Sequence, residues 1–413
     1  MGKIYKYLDI AIYWMLVLTP FSIAIAPAFT SVCMVILIFI FLLKKILKRE
    51  RVFIKTGLDI PLLFLFLITC ISIFNSAYLR DSFKGGVLRL LQYIFIFFIA
   101  AEEIKDPKHI RMIIFSMLGG LALASADGIW QVLRGKDFIR HYQPVPVMGL
   151  LRATASFKDP NTYGIYLSAI APLLFGLALH YFKDSKRIAG IFLSLLVLIA
   201  IVLPYSRPTL LAVYAALFFL GIVRKSKVLI IFLIIFALVS PFMLPKSVKE
   251  FARAVDYNPV RFMCNDDRIA IYQHSLNMLK DHPIIGLGAN TYMKNYKKYK
   301  NNPEYRNVVT SDYLYAHNNF LHMAAEIGLI GLAIFIWLLY ELFSQCRRIF
   351  KDLDNHFLKV VSLSLTGCLI AFLVNGLTES SLYSSRVAII FWFIAGFAIA
   401  LNKFTDADRQ KAC

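Results

Sequence analysis

The sequence predicts an all-α, polytopic integral membrane protein of about twelve transmembrane helices with one large extracytoplasmic helical loop. Three observations predict it. Of 413 residues, 59% are hydrophobic and 15% aromatic, and the mean hydropathy is +0.66, far too apolar for a soluble globular chain. Apolar stretches of about 20 residues, the length that crosses a bilayer, recur along the chain. Lys and Arg gather between alternate stretches, as the positive-inside rule requires.

The candidate spans run over 8–26, 27–43, 58–76, 87–102, 110–131, 162–182, 188–204, 208–223, 228–245, 320–343, 358–377 and 386–402. Lys3 and Lys6 ahead of the first resemble the start of a signal peptide, but the apolar run continues into the second span without a small-residue cleavage site, so a retained helix is expected. Basic clusters follow span two (Lys44, Lys45, Lys48, Arg49, Arg51, Lys55), span six (Lys183, Lys186, Arg187), span eight (Arg224, Lys225, Lys227) and span ten (Arg347, Arg348, Lys351); Lys403, Arg409 and Lys411 close the chain. Alternating spans put all of these on the cytoplasmic side with both termini. The chain divides into 1–245 (spans one to nine), 246–319 (the large extracytoplasmic loop) and 320–413 (spans ten to twelve and a cytoplasmic tail).

The loop from Lys246 to Asn319 holds eleven Lys/Arg against seven Asp/Glu, a net +4. Long loops translocate largely regardless of charge, so the excess has a neutral explanation. The sharper reading is a basic surface that holds an anionic, phosphorylated ligand at the membrane. Of six cysteines, Cys33, Cys70 and Cys368 fall in spans, Cys346 and Cys413 on the cytoplasmic side, and Cys264 alone on the oxidising side, so no disulfide framework is expected. The sequence has neither a Cys/His cluster with zinc spacing nor a P-loop; no metal, no cofactor and no nucleic-acid partner are expected.

Charges inside spans usually mark ion or proton pathways, and here they are few. Asp127, Glu326 and Glu379 lie near the outer ends of spans five, ten and eleven. That argues against a proton-coupled transporter, as does the lack of an evident internal repeat. Asp127, beside Ser125, Gly128 and Gln131, reads as an end-of-helix polar group facing the interface.

Four places carry polar chemistry at the outer face. In the loop, Asn265-Asp266-Asp267-Arg268 opens a helical pattern with apolar Ile269, Tyr272, Leu276 and Leu279, ended by His282-Pro283. Asp266 or Asn265 suits the cap, which leaves Arg268 in a first turn that favours an anion; a local ion pair with Asp266 or Asp267 is the plainer alternative. Gly286-Leu287-Gly288-Ala289-Asn290 reads as a turn before a second helix, on which Tyr292, Tyr296 and Tyr299 share a face among Lys294, Lys297, Lys298 and Lys300. That helix either lies on the bilayer surface or stacks its tyrosines on a sugar. His317 stands where the loop meets span ten, with Asn318 and Asn319 beside it, and is the one side chain type that exchanges a proton near neutrality without a shift in pKa. The hairpin Pro204-Tyr205-Ser206-Arg207-Pro208 fixes Arg207 at the membrane surface, and Arg152 to Asn161 forms a turn and helix start in which Arg152 and Lys158 are further phosphate-facing candidates.

These words in this order resemble the O-antigen ligase and polymerase superfamily of bacterial envelope enzymes. The resemblance rests on Arg152, Phe157 and Asp159-Pro160-Asn161, then Ser206-Arg207, then Asp267-Arg268 with Tyr272. It continues through His282-Pro283-Ile284-Ile285-Gly286-Leu287-Gly288, Ala316-His317-Asn318-Asn319-Phe320-Leu321 and Glu326-Ile327-Gly328-Leu329-Ile330-Gly331. It covers roughly 145–335 by motif and the whole chain by length and span count. It implies a C-type glycosyltransferase-like membrane fold that works without metal at the periplasmic face of the bacterial inner membrane. The implied donor is a glycan on undecaprenyl diphosphate. The acceptor is lipid A-core oligosaccharide in the ligases and another lipid-linked repeat in the polymerases. The family pattern maps onto Arg207 and Arg268 as diphosphate-binding arginines and onto His317 as the residue that activates the acceptor hydroxyl. Arg152, Lys158, Asp159, Asn161, Tyr272 and Asn318 are the expected substrate-binding neighbours. The ligase is the favoured reading by length and loop size, the polymerase shares its donor chemistry, and a transporter of a lipid-linked anion is the reading from another class.

Overall fold

Each of the twelve apolar stretches is a helix in the computed structural model, which describes residues 2–147, 149–243, 249–250, 253–254, 256, 258, 266–300 and 314–405. The membrane helices are α1 (Gly2–Ile25), α2 (Pro27–Lys48), α3 (Asp59–Ser72), α4 (Leu79–Glu103), α5 (Pro107–Arg134), α6 (Pro160–His180), α7 (Asp184–Val202), α8 (Arg207–Val223) and α9 (Lys227–Met243). In the loop lie α10 (Asp266–Asp281) and α11 (Tyr292–Tyr299), followed by α12 (Asn319–Asp352), α13 (His356–Asn375) and α14 (Ser385–Ala400). Among the described residues, nine helices are long and apolar enough to cross a membrane; α3, α8 and α9 are the shorter ones, the last two with 17 residues each. The all-α class holds apart from one small antiparallel hairpin, β1 (Val145–Val147) with β2 (Leu150–Arg152).

Helix starts follow the capping chemistry written in the sequence. Asp106 accepts the Lys108 amide at 2.7 Å with Pro107 behind it, Asp159 accepts the Thr162 amide at 2.7 Å before Pro160, and Asn355 accepts from Leu358 at 3.2 Å. Asn265, Cys264, Lys246, Arg261, Glu304, Arg306, Asp312, Arg409, Lys411 and Cys413, which entered the charge, cap and cysteine arguments, lie outside the described residues.

Helices α6, α13 and α14 are buried on most sides and form the middle of the bundle: α6 packs on α13, α7 and α8, and α14 on α4. The peripheral α7 instead turns Ile191, Phe192, Leu195 and Ile199 outward. Such a row would be unfavourable in water and is neutral against acyl chains. One end of the bundle is stapled by buried charge. Lys44 meets Glu103 at 2.7 Å and Asp9 at 2.6 Å, Lys45 meets Glu102, and Lys403 donates to the Ala101, Glu102 and Ile104 carbonyls. The opposite end gathers the loop helices, the β-hairpin and the Pro204–Pro208 turn.

Asp127 corrects the expectation of an interfacial polar group. It is fully buried, and its carboxylate accepts the Phe138 amide at 2.9 Å, so it organises the chain that follows α5. The α11 tyrosines also depart from both readings. Tyr292 and Tyr296 are fully buried against α10, where Tyr292 hydroxyl meets Ser275 at 2.7 Å and Tyr296 hydroxyl meets His274 at 3.0 Å. They form a small core for the loop and present no face to lipid or sugar.

Candidate active site

His317 sits between α10 and α12 with a left-handed backbone, φ 48°, a conformation that costs a non-glycine residue about 1–3 kcal/mol and persists only where neighbours impose it. The neighbours are specific. Tyr272 on α10 donates its hydroxyl to the His317 carbonyl at 3.1 Å. Asn318 caps α12, accepting from Phe320 at 2.8 Å and Leu321 at 2.9 Å, and its amide nitrogen reaches the Leu377 carbonyl at 2.8 Å. Asn319 continues the clamp: its backbone amide donates to Gly376 at 2.7 Å, and its side chain bonds Ser381 at 2.8 Å and the Leu382 amide at 3.0 Å.

The two asparagines thereby fix the α13–α14 link, residues 376–384, against the mouth of α12. That link carries Glu379. One of its carboxylate oxygens lies 3.0 Å from His317 Nδ1, and the other is held by Arg268 Nη2 from the first turn of α10. The Glu379 side chain is only 7% exposed, with Arg268 at 14% and His317 at 26%. Burial pushes the Glu379 carboxyl up, but the His317 hydrogen bond and the Arg268 charge outweigh it, and the net shift is below the usual glutamate range. An ionised Glu379 accepts only, so Nδ1 of His317 carries the hydrogen, and in the neutral imidazole Nε2 is the nitrogen left with a lone pair. Arg268 therefore pairs with a glutamate 111 residues away. Its Nη1 is buried and has no hydrogen-bond acceptor among the described residues.

Arg152 joins this group from the other side. Its Nε donates to the Pro204 carbonyl at 2.6 Å and its Nη2 to Asn161 at 2.7 Å, while Ala153 N–H donates to Leu203 at 3.0 Å. The β-hairpin, the start of α6 and the Pro204–Pro208 turn are thus one tethered unit. Burial lowers the Arg152 pKa, and the charges of Asp159, Glu379 and Arg268 also act on it, so Arg152 and the Glu379 pair share one electrostatic neighbourhood. Arg207 is the first residue of α8, three residues beyond the carbonyl that Arg152 holds, and is half-buried. Ser206 and Thr209, on either side of it, bury hydroxyls that have no hydrogen-bond partner among the described residues.

The remaining expected residues divide by role. Asp159 spends its carboxylate on the α6 cap and the Thr162 hydroxyl, Asn161 on Arg152, and Asn318 on the α12 cap, while Lys158 is exposed in a left-handed turn, φ 68°. The word from His282 to Gly288 is a backbone fitting: Leu287 and Gly288 amides bond the Ala325 and Glu326 carbonyls at 2.9 Å, and Leu329 bonds Pro283 at 2.8 Å. Gly328 breaks the α12 helix there with φ 73°, and a Cβ on it would fall 2.0 Å from the Ile284 carbonyl oxygen. Glu326 closes the fitting by accepting the Asn290 amide at 2.7 Å and the Tyr292 amide at 2.9 Å, so it caps α11.

Glu379 was the residue that motif reading passed over. Its signal was present as a carboxylate set in the short link 378–385 between two apolar spans, where an unpaired charge is expensive. Among the described residues, no group of three or more His, Cys, Asp or Glu side chains is arranged to hold a metal ion.

Residues 161–336 match the family model described as O-antigen ligase. The match spans 176 of the 413 residues and makes this segment similar to that family. It runs from the second residue of α6 into α12 and includes Arg207, Arg268, Tyr272, His317 and Asn318; Arg152 and Glu379 lie outside it on either side. A comparison with curated proteins finds no match. With its apolar helices, the chain is an integral membrane protein carrying an O-antigen ligase-type segment.

Proposed function

We propose that the chain is an O-antigen ligase of a bacterial inner membrane: a C-type glycosyltransferase that moves O-antigen glycan from undecaprenyl diphosphate to lipid A-core oligosaccharide. Both termini lie in the cytoplasm and the His317 end of the bundle faces the periplasm, in keeping with the basic clusters on the other side. The observation that carries the reading is Glu379, which binds His317 and Arg268 through its two oxygens and so couples a base to a guanidinium at a membrane mouth.

His317 Nε2 takes the proton of the acceptor hydroxyl as that oxygen attacks the anomeric carbon. The bond from the anomeric carbon to the diphosphate oxygen breaks, and its electron pair leaves with undecaprenyl diphosphate. A single displacement inverts the anomeric centre. Proton removal by a placed base contributes about 10²–10⁴ in rate, and Glu379 holds the imidazole in the correct tautomer and offsets the charge it gains. Negative charge grows on the leaving phosphates, and forked guanidiniums meet it best: Arg268 through its Nη1, which has no acceptor among the described residues, and Arg207 at the α8 N-terminus, where the Ser206 and Thr209 hydroxyls and the helix dipole also favour an anion. Arg152 adds positive field, and Lys158 and Tyr272 flank the mouth.

Deleting the gene and resolving lipopolysaccharide on a gel tests the reading. Loss of long chains with lipid-linked polymer retained is the expected result. A core that still carries a single repeat assigns the chain to the polymerases instead.

A further inference from the structure

On the same end of the bundle, beyond the Glu379 loop, three cations stand without an obvious purpose. Arg80, Lys84 and Arg89 follow one another through the first turns of α4, across a π-helical turn at Ser82–Val87. Arg80 and Lys84 are exposed and Arg89 is half-buried. Among the described residues none of the three meets a carboxylate. The nearest acids are committed elsewhere: Asp81 to Lys294 at 2.5 Å, and Glu326 to the Asn290 and Tyr292 amides.

The three cations, with Asn290 and the Lys294-paired Asp81, line an open basin of about 310 Å³. Through Gly85, Arg89 and Asn290 the basin adjoins an apolar crevice of about 90 Å³, walled by Leu65, Leu90, Tyr93, Phe335 and Trp392. The arrangement depends on close backbone approach, since a Cβ on Gly85 would fall 1.9 Å from Asn290 Nδ2 and one on Gly86 2.6 Å from Ala289 Cβ. Bare cations at a bilayer boundary attract phosphate, and an adjoining apolar slot offers a tail somewhere to lie.

We propose that this basin and crevice bind an anionic phospholipid of the surrounding leaflet, its phosphate on Arg80, Lys84 and Arg89 and the near end of one acyl chain entering the crevice. The inference does not rest on the glycosyl-transfer reading. Tyr383 also walls the crevice and stacks on His322 with ring centroids 3.5 Å apart, and His322 Nδ1 lies 3.1 Å from Ser380 Oγ. A lipid held here therefore abuts the link that carries Glu379.

Native mass spectrometry of the full-length protein in detergent, titrated with phosphatidylglycerol, tests it. Wild type is expected to take up one phosphatidylglycerol in preference to phosphatidylcholine. The triple variant Arg80→Gln/Lys84→Gln/Arg89→Gln should bind it on the order of 100-fold more weakly, at roughly fivefold per cation. Arg80→Gln/Lys84→Gln, which alters exposed side chains alone, should lose roughly 25-fold on the same basis, and so separates binding from folding. Arg347→Gln/Arg348→Gln, two exposed cations at the far end of α12, should change nothing. Equal binding by the double variant and wild type, or phosphatidylcholine held as tightly as phosphatidylglycerol, would overturn the proposal. So would displacement by inorganic phosphate at equal concentration, which needs no crevice, or preferential retention of undecaprenyl phosphate.

Discussion

Replacing Glu379 with glutamine keeps the size of the side chain and removes its charge. In the wild type the carboxylate lies 3.0 Å from His317 Nδ1 and also binds Arg268, with all three side chains largely out of water. Coulomb's law at an effective dielectric of about 20 gives roughly 5 kcal/mol between unit charges at that distance. Partial exposure of His317 reduces this to about 3–5 kcal/mol, and the interaction is felt in full only when the imidazole becomes cationic as it takes the proton. At about 1.4 kcal/mol per factor of ten, Glu379→Gln should lower kcat by roughly 10²–10⁴. Single-turnover transfer by the purified protein, with a thermal unfolding curve to confirm that it is folded, measures this. Glu379→Asp, which keeps the charge and shortens the reach, should fall between the two. A well-folded Glu379→Gln protein with kcat within threefold of wild type would show that Glu379 does not stabilise a cationic His317.

Other consequences are simpler. Arg268→Lys and Arg207→Lys should each reduce transfer at least tenfold, because an ammonium loses the forked donor pair while keeping the charge; unchanged kinetics would remove the arginines from the diphosphate site. Acid should destabilise the wild type: Glu379 has its pKa depressed in the folded protein, so its contribution is complete above the unfolded value of about 4.3 and fades as pH falls through the folded value. Thermal unfolding at pH 7 and in acid should show that fraction missing in Glu379→Gln. Gly328→Ala should cost about 3 kcal/mol or more, since it combines φ 73° with a Cβ 2.0 Å from Ile284 oxygen, and should appear as poor expression and a lowered Tm.

The membrane architecture was legible because hydropathy reports directly on what lipid demands, and each apolar stretch has its helix. The ends were less legible. Span ten was expected at 320–343, but α12 continues to Asp352 because hydrogen bonding carries a helix on after the apolar run stops. The placement of the candidate residues was legible where chemistry is local: His317 at the mouth of α12, Arg268 in the first turn of α10, Asp159 ahead of α6. It was opaque where partners are distant. Glu379 is 62 residues from His317 and 111 from Arg268, and the clamp by Asn318 and Asn319 that brings it there is a tertiary arrangement no window of sequence encodes. The α11 tyrosines misled for a related reason, since an amphipathic Tyr/Lys pattern is the same whether the tyrosines face lipid, sugar or, as found, another helix.

In the proposed reaction His317, set by Glu379, removes the proton from an acceptor hydroxyl while glycan leaves a polyprenyl diphosphate. Transfer by purified wild type and His317→Ala, with a defined undecaprenyl-diphosphate-linked donor offered lipid A-core and lipid-linked repeat as separate acceptors, tests it most directly. Glycosylated lipid A-core is expected from the wild type and none from a folded His317→Ala protein. Wild-type rates from His317→Ala would contradict the mechanism, and product on the lipid-linked acceptor alone would contradict the ligase assignment.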